Sequence, residues 1–122
     1  MPQISVDYSA GLADDLDRPA LGRALNALAV KHLAAAPEAC KTRFRRADET
    51  VVVGGETEKQ DLVLVEFHVF PGRTTEAKAG LAEAVVALLA EQVTLAPGRR
   101  LHAAAKVVEV DGSAYRKATL TG

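Results

Sequence analysis

A proline follows Met1 directly. While Met1 is attached, the Pro2 nitrogen is a tertiary amide without basicity; with Met1 removed it is a free secondary amine. An α-amino group titrates near 8. Burial and neighbouring cations both disfavour the protonated amine and draw that value toward neutrality, where the nitrogen serves as a general base. The chain carries such cations in two places: Lys41 and Arg43 in the segment 40–46, and Arg73 in the turn Pro71-Gly72-Arg73-Thr74. The same cations suit a small carboxylated substrate and stabilise the negative charge that develops when a proton leaves carbon alpha to a carbonyl. Read blandly, Pro2 only starts an edge strand, and Lys41 and Arg43 are a solvated strand face.

Other chemistries find little support. His32, His68 and His102 are far apart in sequence, and none has a cysteine or carboxylate at metal-ligand spacing, so no metal and no cofactor are expected. Serine-nucleophile motifs and glycine-rich phosphate loops are missing. The single cysteine, Cys40, reads as a small strand or core side chain. Lysine plus arginine number 15 against 16 acidic residues, a net charge of −1, which gives no field to attract nucleic acid. Aromatic residues are 4% of the chain, too few for base-stacking platforms. With no long uncharged apolar run and no secretory leader pattern, no membrane partner is expected and the chain reads as cytoplasmic.

The elements that must position these residues follow from periodicity. A length of 122 residues with 48% hydrophobic side chains suits one domain, 1–122. Ile4, Val6 and Tyr8 alternate with polar neighbours as a strand does. Asp14, Asp15 and Asp17 ahead of Pro19 predict a helix start, and Leu21, Leu25, Leu28 and His32 give its buried stripe over about 19–35. Residues 40–46 alternate so that Lys41, Arg43 and Arg45 share a face. Residues 48–59 read as an excursion or edge ribbon. Residues 61–70 form a strand, Leu81, Val85, Leu88 and Gln92 mark a helix over 75–94, and 101–110 form a last strand.

Two β-α-β units, about 1–47 and 60–110, are thus predicted, giving an α/β (α+β) fold with a four-stranded sheet and two helices on one face. The other face would be bare, and a sheet of Val, Leu and Phe so exposed predicts oligomerisation. The same element order fits a ferredoxin-like dimeric module that binds a small ligand.

The residues also carry a resemblance. Pro2 with the following strand Gln3-Ile4-Ser5-Val6-Asp7-Tyr8-Ser9, the run Asp15-Leu16-Asp17-Arg18-Pro19-Ala20-Leu21, Cys40-Lys41-Thr42-Arg43 and Pro71-Gly72-Arg73-Thr74-Thr75-Glu76 resemble the 5-carboxymethyl-2-hydroxymuconate isomerase branch of the tautomerase superfamily. The resemblance implies a homotrimer of β-α-β-β-α-β subunits and cofactor-free keto-enol or double-bond isomerisation of unsaturated, carboxylated ring-cleavage products in aromatic compound catabolism. It implies Pro2 as base, Arg73 as the group that binds carboxylate or polarises the carbonyl, and an Arg-x-Arg strand motif at Lys41 and Arg43. Lys41 departs from that motif, keeping the charge but losing the planar fork of arginine. A non-catalytic protein of the same fold stays open beside the isomerase.

Overall fold

The computed structural model describes residues 1–47 and 50–122. Strand β1 spans Gln3–Ser9, helix α1 Arg18–Leu33, β2 Lys41–Ala47, β3 Gln60–Val69, α2 Thr75–Gln92 and β4 Arg100–Glu109. The strands lie in the order β2-β1-β3-β4. β1 is parallel to β2, antiparallel to β3, and β3 is parallel to β4. Each helix connects two parallel strands, as such crossovers must.

Local chemistry sets the helix ends. The Asp17 side chain accepts from the Ala20 amide at 3.1 Å with Pro19 in the first turn, and Thr74 accepts from the Ala77 amide at 3.1 Å. Both helices lie on the sheet face formed by Ile4, Val6 and Tyr8 of β1 and Val63, Val65, Phe67 and Val69 of β3, all buried. The buried ridge of α1 is Leu21, Leu25, Ala29 and Leu33; that of α2 is Leu81, Val85 and Leu89. The predicted stripes drift from these ridges toward their ends, because a four-residue step holds the contact with the sheet. Gln92 is exposed, and His32 sits beside Gly80 at the contact between the helices.

Of the excursion expected over 48–59, residues 48 and 49 lie outside the described residues; beyond them a single bridge joins Val53 to Glu56 through a turn at Gly54 with φ 58°.

The open sheet face differs from the expectation of bare Val, Leu and Phe. The period of two sends most of those residues to the helices and leaves a largely polar surface. Arg45 pairs with Asp7 across the strands, Nε to Oδ1 2.7 Å, and Glu66 lies 3.2 Å from His68 and 3.3 Å from Lys106. Leu62 and Leu64 with Val51 make a small apolar patch at one end. Burial of an apolar sheet face therefore gives a weaker reason for assembly than the composition suggested.

At that same end Asp61, 1% exposed, is matched on every side. Arg99 donates to both carboxylate oxygens at 2.7 and 2.9 Å, and the Ser9 hydroxyl donates at 2.9 Å. Ser9 in turn accepts from the Leu62 amide at 3.1 Å, fixing the start of β3.

Candidate active site

Strand directions bring the candidate residues to the other end of the sheet. β1 and β2 are parallel, so Pro2 and Lys41 start side by side, and the Lys41 amide donates to the Pro2 carbonyl at 3.4 Å. β3 runs the opposite way and delivers Phe70 and the Arg73 turn to that end. β4 follows β3, so the segment after it emerges there too. α1 returns from the far end of β1 and finishes there as well, at Leu33.

Arg73 is half-buried between these segments. Its Nε and one terminal nitrogen donate to the Leu33 carbonyl at 3.4 and 3.3 Å, and the other terminal nitrogen donates to the Phe70 carbonyl at 3.4 Å. The Leu33 carbonyl belongs to the last turn of α1, where carbonyls lack helical partners and the dipole is negative. Although Arg73 precedes a helix start in sequence, its charge is seated on a helix end.

Pro2 is buried and Lys41 exposed. Burial and then the charges of Lys41, Lys117 and Arg73 hold the Met1 amine below its ordinary value, with Cys40 pulling the other way. Three elements thus direct positive charge at the start of the chain. Arg43 lies two residues along β2, opposite Ser5, on the open face and exposed. The structure therefore groups Pro2, Lys41 and Arg73, with Arg43 one row farther in.

Cys40 is buried, its thiol 3.5 Å from the Ala36 carbonyl, and burial pushes the thiol up, which keeps it from acting as a nucleophile at neutral pH. Among the described residues no three His, Cys, Asp or Glu side chains gather at a point that could hold a metal ion. His68 lies beside Glu66, and His102 is 2.8 Å from Gln60. No helix among the described residues is long and apolar enough to cross a membrane.

A groove of about 580 Å³ runs elsewhere, between α1 and β2, lined by Arg18, Gly22, Asn26, Thr42 and Phe44 among others. It offers cations but no group suited to proton transfer, so chemistry rather than volume singles out the Pro2 end.

Sequence reasoning passed over Lys117 and Tyr115. Tyr115 packs edge-on against Phe70, ring centres 5.3 Å apart, and its hydroxyl accepts from Gln3 at 3.3 Å. A lone tyrosine and lysine after the last strand show no periodicity, and only the turn pair Asp111-Gly112 marks a place where the chain can fold back.

The model of the family of 5-carboxymethyl-2-hydroxymuconate isomerases matches residues 2–119. No curated protein sequence matches the chain significantly. Among solved structures, a 5-carboxymethyl-2-hydroxymuconate isomerase from Deinococcus radiodurans R1 is similar with a TM-score of 0.75 and 22% identity, over 98% of this chain and 90% of that one. N1, a member of the cis-3-chloroacrylic acid dehalogenase family, is similar with a TM-score of 0.76 and 24% identity, over 95% of this chain and 80% of that one. A fused 4-OT described as a wild-type symmetric trimer is similar with a TM-score of 0.74 and 20% identity, over 92% of this chain and 88% of that one. At such identities these likenesses establish the shared fold. With a family match that runs from Pro2 almost to the last residue, on this fold, the chain belongs to the family of 5-carboxymethyl-2-hydroxymuconate isomerases.

Proposed function

We propose that the chain is a cofactor-free isomerase that moves a proton on an unsaturated, carboxylated keto or hydroxy acid, with Pro2, freed of Met1, as the base. The observation that carries this reading is the convergence of Lys41 and Arg73 on the buried start of β1. The burial and cations that depress the Met1 amine also disfavour a protonated secondary amine there.

The chemistry needs little else. The Pro2 nitrogen takes a proton from the substrate, electron density moves toward the carbonyl oxygen as a dienolate forms, and the resulting ammonium returns the proton to a different carbon. Nothing is oxidised or reduced. Arg73 uses three of its five N–H groups on the Leu33 and Phe70 carbonyls, which leaves one on each terminal nitrogen for a carboxylate or the developing enolate oxygen. Lys41 and Arg43 line the approach along β2 and bind a carboxylate as point charge and fork respectively.

A homotrimer is part of the proposal, supported by similar proteins described as symmetric trimers. A solution mass near three times 12.9 kDa is the expected result, and a mass near one or two times 12.9 kDa would overturn it.

The test is an assay of 5-carboxymethyl-2-hydroxymuconate conversion by two preparations, told apart by intact mass, that begin at Met1 or at Pro2. Turnover is expected from the second alone. Equal turnover from both would remove Pro2 from the mechanism.

A further inference from the structure

We propose that the groove between α1 and β2 is a second binding site, apart from the Pro2 end, for a flat acid with a carboxylate at one end and a further hydrogen-bond acceptor at the other. The proposal stands independently of the isomerase reading.

Three residues of α1 build one wall. Arg18, Gly22 and Asn26 follow one another at steps of four, so they share a helix face, with about 12 Å of axial rise from first to last. All three line the groove, and Thr42 and Phe44 of β2 line it from the strand side, around a volume of about 580 Å³. Small-molecule sites have volumes of this order.

Contacts place each polar end. One terminal nitrogen of Arg18 donates to the Tyr8 hydroxyl at 3.3 Å and to the Ala13 carbonyl at 3.1 Å, and the guanidinium carbon lies 5.7 Å from the centre of the Tyr8 ring. Both N–H groups of that nitrogen are thereby used. What is left is the edge made by Nε and the second terminal nitrogen, a pair that grips a carboxylate with two parallel bonds. At the other end the Thr42 hydroxyl donates to the Asn26 side-chain oxygen at 2.7 Å. That bond orients the Asn26 amide and leaves its NH2 group to donate to an acceptor in the groove.

The middle is apolar, and Gly22 keeps it open. Phe44 packs edge-on against Tyr8, ring centres 6.4 Å apart, which fixes the floor. Gly22 has an ordinary helical backbone, and glycine inside a helix costs about 1 kcal/mol relative to alanine. A β-carbon there would come no closer to the Phe44 ring than 3.4 Å, an ordinary contact, so neither backbone nor packing requires glycine. The missing side chain leaves room for a flat ring on Phe44, between the fork of Arg18 and the amide of Asn26.

Terephthalate, a flat ring with a carboxylate at each end, is the probe, titrated into the full chain while backbone amide shifts are followed by NMR. Saturable shifts are expected at Gly22, Asn26, Thr42 and Phe44, and benzoate, which lacks the second acceptor, should bind more weakly. Arg18→Gln should weaken terephthalate about tenfold, the scale of one lost charged hydrogen bond. Gly22→Ala should raise the melting temperature while weakening terephthalate, a pair of results that loss of the fold cannot produce. Arg73→Ala, which alters the Pro2 end, should leave the groove shifts unchanged. The proposal is overturned by the absence of saturable shifts at these four residues, by equal affinity for benzoate, by unchanged affinity in Arg18→Gln or Gly22→Ala, or by loss of the groove shifts in Arg73→Ala.

Discussion

The guanidinium of Arg73 sits on the last turn of α1, donating to the Leu33 carbonyl from two nitrogens at 3.4 and 3.3 Å. One residue therefore closes a helix end and presents charge to the start of β1, which ties the fold to the site.

Arg73→Ala should accordingly show two effects. Loss of the charge is expected to cost about 2 to 4 kcal/mol of transition-state stabilisation, the scale of a removed electrostatic contact. Loss of the helix contact should cost about 1 kcal/mol of folding stability in a denaturant melt, with assembly intact. Arg73→Lys should recover stability better than activity, since an ammonium reaches one carbonyl but lacks the fork. Full activity in Arg73→Ala would take the residue out of the site.

Lys41 acts at a distance that pH reports. Its charge disfavours a protonated amine at the chain start, so Lys41→Gln should raise the Pro2 pKa. The limb of kcat/KM governed by the free base then moves to higher pH. Lys41→Arg, which restores the family's Arg-x-Arg pattern, should leave that limb in place and change the affinity for carboxylate instead. An identical profile in Lys41→Gln would show that the charge does not reach the base.

At the far end of the sheet, Arg99 above all, helped by Ser9, holds the Asp61 carboxyl below the usual carboxylate range against the effect of burial. A depressed folded value means that this stabilisation is fully present above the unfolded pKa near 3.9 and is lost as pH falls through the folded one. Asp61→Asn should lower stability at neutral pH, because the paired bonds from Arg99 lose their charged acceptor, and should flatten the acid limb of the stability curve. Acid unfolding unchanged in this variant would contradict the assignment.

Phe67, fully buried toward the end of β3, tests the core. Phe67→Ala should destabilise by about 3 to 5 kcal/mol in urea, with residual activity retained wherever the chain remains folded. A loss below 1 kcal/mol would mean that the helices do not pack on this face as described.

Much of this was legible in the sequence because it depends on local periodicity. Ile4, Val6 and Tyr8 alternate visibly, and Asp17 with Pro19 announces α1 before its first turn. The positions of Pro2, Lys41 and Arg73 could be tied together once the strand order was known, since two parallel pairs joined antiparallel send all three to one end. What the sequence hid depends on long-range contact. The use of Arg73 on Leu33 joins residues forty apart, which no local periodicity can show. Tyr115 carries no pattern, and its place follows from the turn around Phe70. The polar character of the open sheet face was readable from Asp7, Arg45, Glu66 and Lys106, yet composition alone obscured it.

The most direct test of the Pro2 assignment is an NMR titration of the Pro2 nitrogen in protein that begins at Pro2. A pKa clearly below the ordinary α-amino value near 8, rising in Lys41→Gln, is the predicted result. A value at or above 8, unmoved by that substitution, would contradict a neutral proline base shaped by these cations.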